Sequence, residues 1–280
     1  MSDRVLVLGA SASVGAALLK GLALGHAEVI PWSRKQNSAK EPGAALLWQR
    51  GDLFRDSLPD VEKILSAGPL DGLLAALSRS PACRPRVIVA LSSSSAHFKR
   101  ESNDFGERAL AARLAASEAG LGKICLERDV RCVILRPTLI YGGDDAAHFG
   151  AVVTQAQRFG FLALPDSARG LRMPIHAADL AATMLAALDT RPAAGTFDVG
   201  GGETLTYGAM LERVLRARRP GTRSVRIPDS LFRSLLSAAH RIGLLHGLTQ
   251  AVVLRMREDL VVDDTPARHA IGHAPGAFRP

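Results

Sequence analysis

Residues 5–15 read VLVLGASASVG, in which four apolar residues lead into a run of small residues that closes on a glycine. The first glycine permits a tight turn, and the last lets a helix approach the preceding strand closely. The middle position of the usual glycine pattern holds an alanine, which is still small enough for a phosphate to come near. The stretch predicts a strand–turn–helix unit that binds a dinucleotide pyrophosphate, with a plain strand–helix turn as the alternative. The residues assigned to the phosphate are Gly9, Ser11, Ala12, Ser13, Val14 and Gly15.

Short apolar runs alternate with helical patterns through the first half of the chain. Strands are predicted at 5–8, 28–31, 45–48, 61–65, 87–91 and 132–135, and helices at 14–24, 72–78 and 107–121. The strands are nearly continuous in apolar residues, as expected for parallel strands covered on both faces. This alternation predicts an α/β protein with a doubly wound parallel Rossmann sheet. Beyond Tyr141, helices are predicted at 149–159, 177–188 and 207–218, with a strand in GTFDVGG at 195–201.

The end of the second strand bears on the type of dinucleotide. Dinucleotide folds that prefer NAD place an acidic residue there, whereas this strand runs into Ser33, Arg34 and Lys35. A guanidinium and an ammonium suit a 2′-phosphate, so we expect NADP rather than NAD, with an ordinary basic loop as the alternative. Two further loops are assigned to the same cofactor. They are Asp52-Leu53 for the adenine and Ser66-Ala67-Gly68 under the ribose.

Composition excludes several classes of protein. The chain has 280 residues, 47% of them hydrophobic, yet no apolar run approaches the roughly 20 residues of a membrane span. The N-terminus enters a strand without a basic leader, so a soluble cytoplasmic protein is expected. The three cysteines are too scattered for a disulfide framework or a metal site. The net charge of +8 is spread along the chain with only 5% aromatics, which argues against a nucleic-acid partner.

Several stretches, taken together and in order, resemble the extended or atypical short-chain dehydrogenase/reductase superfamily of the NAD-dependent epimerase/dehydratase type. They are GASASVG (9–15), RGDL (50–53), LSSSS (91–95), LRPTLIYGGDD (135–145), RMPIHAADLA (172–181) and FDVGGGETLTY (197–207). The resemblance implies an NAD(P)-binding Rossmann domain over 1–145, to which 175–200 return. It also implies a small C-terminal α/β substrate domain formed by 146–174 and 201–280.

The resemblance also assigns roles to individual residues. Ser92, Pro137 and Thr138 would lie at the cofactor, the last two near the nicotinamide. Arg172 matches an arginine that contacts a nucleotide-sugar diphosphate, with a loop ion pair as the alternative. His176 is interpreted as a structural hydrogen bonder rather than a general base.

The proton relay of this superfamily is missing. Its members use a Tyr-x-x-x-Lys pair beside a serine or threonine, because residues four apart share a helix face and the ammonium lowers the phenol pKa. The chain has two tyrosines, and neither Tyr141 nor Tyr207 is followed by lysine at that spacing. On the helix expected to carry the pair, its places fall at Leu110 and Leu114, or one residue earlier at Ala109 and Arg113. Ser94 matches the serine partner, and Tyr141 and His97 are the candidate stand-ins for the missing groups.

Two functions follow from these observations. The first is an oxidoreductase or epimerase acting on a nucleotide-linked sugar or a small carbonyl compound. The second is a catalytically inactive NADP-binding sensor, scaffold or assembly protein. Residues 230–256 carry apolar residues at helical spacing with interspersed arginines, which suit either a partner or membrane surface or a packed helix. A homodimer through the helix at 107–120 is implied by the resemblance alone.

Overall fold

The structure, a computed structural model, describes residues 3–23, 25, 28–34, 46–143, 149–189, 194–241 and 250–280. The strands are β1 (Arg4–Leu8), β2 (Glu28–Ser33), β3 (Gln49–Arg50), β4 (Lys63–Ser66), β5 (Val87–Leu91), β6 (Arg131–Pro137), β7 (Ile140–Tyr141), β8 (Phe161–Pro165), β9 (Leu171–Arg172), β10 (Ile175–His176), β11 (Gly195–Val199), β12 (Leu205–Thr206) and β13 (Arg223–Ile227). The helices are α1 (Ser13–Leu22), α2 (Leu70–Arg79), α3 (Ser95–Phe98), α4 (Phe105–Glu127), α5 (Gly150–Phe159), α6 (Ala177–Asp189), α7 (Tyr207–Arg218), α8 (Asp229–Arg241), α9 (Gln250–Arg255) and α10 (Thr265–Ile271).

The central sheet has seven strands in the order β11-β6-β5-β4-β1-β2-β3. Every neighbouring pair is parallel. The chain moves outward from β1 to β3, then crosses to β4 and continues in the other direction. The strand order therefore reverses between β1 and β4, and ligands of open α/β sheets bind at the carboxyl ends of the strands at such a point. This topology confirms the doubly wound Rossmann sheet.

Helices cover both faces of the sheet, which explains why its strands are apolar throughout. On one face, α1 and α6 bury Leu18 and Met184 against the sheet, and both side chains are 0% exposed. On the other, α2 and α4 bury Leu73 and Leu121 to the same degree. Burial of a leucine or methionine side chain stabilises the fold by about 2 kcal/mol, so the two layers account for much of the hydrophobic driving force.

A separate hydrophobic cluster holds the smaller part of the chain together. It joins α5, β8 and α7, and the C-terminal Phe278 closes it. Not all of the C-terminal segment packs in this cluster. Ala267 and Ile271 on α10 pack into the core of the large sheet instead. The division into 1–145 with 175–200, and 146–174 with 201–280, stays a prediction. None of the helices in the described ranges combines the length and apolarity that a membrane span needs.

The third predicted strand is displaced in the structure. We expected it at 45–48, but Leu46 forms only an isolated bridge with Val29, and the strand itself is β3. Leu46 and Trp48 pack against the core of the sheet. The apolar pattern at 45–48 thus reflects side-chain packing, while continuous pairing with β2 begins at Gln49, beyond the isolated contacts of Leu46 and Leu47 with Val29.

Candidate functional site

The turn between β1 and α1 is built around two glycines. Gly9 has φ of +72°, and a Cβ atom there would lie 2.8 Å from the backbone of Ala67 and Gly68. A Cβ on Gly15 would overlap the carbonyl oxygen of Gly9. Both positions therefore require glycine, one for its backbone conformation and both for space. They bring the first turn of α1 and the loop after β4 together at the reversal of strand order.

The N-terminus of α1 has no side-chain cap. Its N-cap residue, Ala12, is extended and offers no side-chain acceptor, and the first turn holds no acidic residue. Free N–H groups at a helix N-terminus form an anion site, because the helix dipole adds to their partial positive charge. Ser11 and Ala12 are exposed, so an anion can reach these groups, whereas Val14 is buried in the core.

The end of β2 lies beside the same turn. Ser33 is 7% exposed, and its hydroxyl lies 2.7 Å from the hydroxyl of Ser11. The backbone N–H of Ala10 donates to Trp32 at 3.3 Å. Arg34 follows as an exposed residue, while Lys35 lies outside the described residues. The structure thus brings the serine and arginine predicted to hold the 2′-phosphate next to the predicted phosphate-binding turn.

The two remaining cofactor loops also reach this edge of the sheet. Asp52 organises its own turn, since its Oδ1 accepts from the N–H of Phe54 at 2.9 Å. Leu53 is buried and packs near Gly68. Ser66 is 1% exposed, and its hydroxyl is buried without a hydrogen-bond partner among the described residues. A buried hydroxyl without a hydrogen-bond partner is uncommon in proteins.

Beyond the carboxyl ends of β5 and β6, the structure has a cavity of about 560 Å³. Its walls come from the serine run, the turn after β6, β9, and the start of α7 and end of α9. The lining residues are Ser92, Ser93, Ser94, Ser95, Phe98, Lys99, Pro137, Thr138, Leu139, Ile140, Arg172, Met173, Tyr207, Arg255 and Leu260. The sequence assigned Ser92, Ser94, Pro137, Thr138 and Arg172 to the site, and all five lie here.

The serine run is held in place by a buried ion pair. Ser92 Oγ donates to Glu118 Oε1 at 2.5 Å, and Arg136 pairs with both oxygens of the same carboxylate. Burial raises the pKa of Glu118, but the hydrogen bonds from Arg136 and Ser92 outweigh it and lower the pKa below its usual value. Ser94 is 7% exposed, its N–H donates to the carbonyl of Pro137 at 3.0 Å, and its hydroxyl has no partner among the described residues.

The two proposed stand-ins for the missing proton relay have other contacts. Tyr141 is 3% exposed in the core of the smaller cluster, and its hydroxyl accepts from the N–H of Arg279 at 3.0 Å. Packing against Phe278 and His176 buries its ring, and a catalytic role for Tyr141 stays a prediction. His97 Nε2 lies 2.6 Å from the guanidinium of Arg136 and belongs to the network that holds the serine run.

His176 has the structural role expected of it. Its Nδ1 accepts from the N–H of Ala178 at 3.1 Å, in the first turn of α6. The ring also packs edge-on against Tyr141, with 5.0 Å between centroids. The side chain therefore ties β10 to the start of α6.

Arg172 lines the cavity but is 5% exposed. Its terminal nitrogens donate to the carbonyls of Leu171, Glu258 and Arg255 at 2.5 to 2.8 Å. Its guanidinium also stacks on the ring of Tyr207, 5.0 Å from the centroid. These contacts tie the segment after α9 to β9, and contact with a substrate diphosphate stays a prediction.

Among the cavity residues that the sequence did not assign to the site, three carry a phenol or a positive charge. Tyr207 brings a phenol from the smaller part of the chain, and Lys99 and Arg255 bring cations from segments far apart in sequence. Burial raises the pKa of Tyr207, although the charges of Arg172 and Arg255 oppose this. The raised pKa keeps the phenol in its protonated form at neutral pH. Tyr207 ends the quoted stretch FDVGGGETLTY, but nothing in that stretch indicates which way the side chain points.

No protein-family model matches the chain, and no curated protein matches its sequence. Solved structures do match. UDP-glucuronic acid 4-epimerase from Bacillus cereus, in complex with NAD, is 13% identical, with 98% of this chain and 94% of that chain covered and a TM-score of 0.71. UDP-glucose 4-epimerase from Thermotoga maritima, with UDP-glucose, is 15% identical. The match covers 98% of this chain and 94% of that chain, with a TM-score of 0.70.

A third match is TunA, an NAD-dependent NDP-hexosamine 5,6-dehydratase of tunicamycin biosynthesis, which is 14% identical. The match covers 99% of this chain and 93% of the TunA chain, with a TM-score of 0.70. At such low identity the likeness shows the fold and not the activity. This chain has the fold of these nucleotide-sugar epimerases and dehydratases, as its resemblance to the extended short-chain dehydrogenase/reductases implies.

Proposed function

We propose that this chain binds a nicotinamide dinucleotide across the reversal of strand order, between β1 and β4. The observation that carries the proposal is the uncapped N-terminus of α1 beside two positions, Gly9 and Gly15, that only glycine fits. The pyrophosphate would lie on the free N–H groups of α1, and the loop of Ser66, Ala67 and Gly68 would pass under the ribose. The nicotinamide would extend toward Pro137 and Thr138, at the mouth of the cavity.

NADP is the proposed form of the cofactor. Arg34 directly follows β2, and residues 29–34 contain no carboxylate to accept the ribose hydroxyls that distinguish NAD. The Bacillus cereus epimerase was crystallised with NAD and TunA is described as NAD-dependent, so this chain would differ from both neighbours. The difference would reside in one loop, where a guanidinium takes the place of the usual acid.

The proposed activity is that of an oxidoreductase or epimerase/dehydratase acting on a nucleotide-linked sugar or small carbonyl compound. The bound nicotinamide would supply or accept the hydride. Ser94 and Tyr207 are the cavity hydroxyls proposed to hold the substrate oxygen and deliver its proton. Burial raises the pKa of Tyr207, so its phenol carries a proton but is a weaker acid than the phenol of a Tyr-x-x-x-Lys pair, whose pKa the ammonium lowers.

A catalytically inactive NADP-binding protein, acting as a sensor, scaffold or assembly factor, is the second candidate. It is supported by α4, where the places of the missing pair fall at Leu110 and Leu114, which are half-buried, or at Ala109 and Arg113, and neither register holds a phenol. Neither leucine side chain can exchange a proton. Under this candidate the cofactor binds without turnover, and its binding changes stability or affinity for a partner.

Titration of the purified chain with NADPH and NADH, followed by nucleotide fluorescence, tests the cofactor assignment. We expect NADPH to bind more tightly, and Arg34→Ala to weaken NADPH at least tenfold, about 1.4 kcal/mol, while leaving NADH unchanged. Arg55→Ala, at another exposed arginine in a neighbouring loop, is the control and should leave both affinities unchanged. Equal affinities that Arg34→Ala does not alter would refute the NADP preference, and no binding of either nucleotide would refute the cofactor.

An assay of carbonyl reduction by the NADPH complex distinguishes the two candidate functions. Loss of turnover in Ser94→Ala, with NADPH affinity retained, would support the enzyme. Binding without turnover across carbonyl compounds and nucleotide sugars would support the inactive protein.

A further inference from the structure

Two cations on one wall of the cavity share a single carboxylate. Lys99 follows α3 and Arg255 ends α9, and both line the cavity. Arg255 Nη1 pairs with Glu107 Oε1, and Lys99 Nζ lies 3.6 Å from the same oxygen. The other oxygen of Glu107 accepts from Ser102 Oγ at 2.7 Å. One negative charge therefore compensates two positive charges, and the wall carries a net positive charge.

No carboxylate is found among the residues that line the cavity in the described part of the chain. The third cation of the lining, Arg172, interacts with the charges of Asp259 and Glu258, and its terminal nitrogens are engaged with backbone carbonyls. One of those carbonyls belongs to Arg255, so Arg172 holds the backbone that presents the Arg255 guanidinium. The groups left to bind an incoming anion are Lys99 and Arg255.

Both cations are well shielded from water. The side chain of Lys99 is 23% exposed and that of Arg255 is 22% exposed. Partial burial lowers the effective dielectric constant, so an anion held between these groups is bound more strongly than at an open surface. Much of the remaining lining is apolar, with Phe98, Leu139 and Ile140 among its members. The cavity therefore suits a molecule with an apolar body and an anionic end.

We infer that the cavity binds an organic anion whose carboxylate or phosphate contacts Lys99 and Arg255. This inference rests on the proposed function, since it names the class of substrate that would meet the nicotinamide. It places the anionic group at Lys99 and Arg255 rather than at the guanidinium of Arg172.

The carboxylate of Glu107, which the two cations share, predicts that one substitution in this cluster should strengthen anion binding rather than weaken it. Glu107 competes with the substrate for both cations, so replacing it by glutamine frees them while retaining an oxygen that accepts from Ser102. We expect Glu107→Gln to tighten anion binding about threefold to tenfold, because the net charge of the wall rises by one. A purely structural role for the cluster would give weaker binding instead.

Isothermal titration calorimetry of the full chain, with and without saturating NADPH, tests the inference. The probes are 2-oxohexanoate, its neutral methyl ester, and UDP. We expect the acid to bind at least tenfold more tightly than the ester, and Lys99→Met to remove this preference without weakening the ester. Lys123→Met, at a 78% exposed lysine on α4, is the matched control and should change neither affinity.

The probes also distinguish the source of the anion. Tighter binding of UDP than of the acid, with the same dependence on Lys99 and Glu107, would support the site and identify a nucleotide diphosphate. Binding of acid and ester with equal affinity, an unchanged preference in Lys99→Met, or no binding of either anion would overturn the inference. NADPH binding is measured in the same samples, so failure of the anion site is distinguishable from failure of the cofactor assignment.

Discussion

Replacement of Glu118 by glutamine tests the buried ion pair that holds the serine run. The Glu118 side chain is 7% exposed and accepts hydrogen bonds from Ser92 and Arg136, whose side chain is 20% exposed. The variant leaves the Arg136 guanidinium, in a poorly solvated place, with only its weaker interaction with the charge of Asp198. Removal of one partner of a buried pair costs about 3 kcal/mol, so we expect a loss of this size in the free energy of unfolding at neutral pH.

The same substitution should change how stability depends on pH. Burial raises the pKa of Glu118, but the hydrogen bonds from Arg136 and Ser92 lower it overall below its usual value. A depressed carboxyl pKa contributes stability that is fully present above the unfolded pKa of about 4.3 and is lost as pH falls through the folded pKa. Glu118→Gln lacks this contribution, so the stabilities of the two proteins should converge in acid.

Urea unfolding followed by circular dichroism, between about pH 7 and about pH 3, measures both effects. Glu127→Gln is the control, because the Glu127 side chain is 59% exposed and its pair with Lys123 is 3.9 Å long. The control should change stability by less than about 0.5 kcal/mol. The reasoning is refuted if Glu118→Gln costs no more than this control, or if its deficit is the same at both ends of the pH range.

Three further predictions concern the remaining parts of the structure. Gly15→Ala should lower the free energy of unfolding by about 1–3 kcal/mol, because the added Cβ would overlap the Gly9 carbonyl. Gly122→Ala is the control and should not destabilise the protein, because a Cβ there meets nothing within 4 Å. Urea unfolding measures both variants. Tyr207→Phe should abolish turnover while NADPH affinity is retained. Tyr141→Phe should lower the free energy of unfolding by about 1 kcal/mol and leave turnover intact. Loss of turnover in Tyr141→Phe but not in Tyr207→Phe would show that the wrong phenol was assigned. Burial raises the pKa of Cys83 to about 11, so its thiol should resist a thiol reagent at about pH 8 until the protein unfolds, as mass spectrometry of labelled peptides would show.

The sheet and its cofactor turn were predictable from the sequence because their signals are local. Apolar runs at 5–8 and 87–91 coincide closely with β1 and β5, and the two glycines of the turn occupy positions where a Cβ atom would collide. The third strand was displaced because Leu46 and Trp48 are apolar for packing rather than for pairing. A local run of apolar residues indicates which residues are buried. The register of a strand also depends on the neighbouring strand.

The cavity was only half predictable, because its walls come from distant parts of the chain. Ser94 and Thr138 follow strands of the sheet, so their place at its carboxyl edge follows from the fold. Tyr207 and Arg255 reach the cavity where α7 and α9 pack against β9, and Lys99 reaches it from the end of α3, which no spacing in the sequence reveals. The contact of the Tyr141 hydroxyl was hidden for the same reason, since it comes from the N–H of Arg279, near position 280.

The central claim is that the uncapped N-terminus of α1 binds the pyrophosphate of a nicotinamide dinucleotide, and Ala12→Asp tests it most directly. An aspartate at this N-cap accepts from the free N–H groups of the first turn, so it should stabilise the fold by about 1 kcal/mol. The same carboxylate occupies and repels the phosphate position. The measurement is the NADPH dissociation constant of the wild-type and variant proteins, alongside their free energies of unfolding. We expect the variant to be at least as stable and to bind NADPH about a hundredfold more weakly, a difference of about 2.7 kcal/mol. Unchanged NADPH affinity in a folded Ala12→Asp variant would contradict the account.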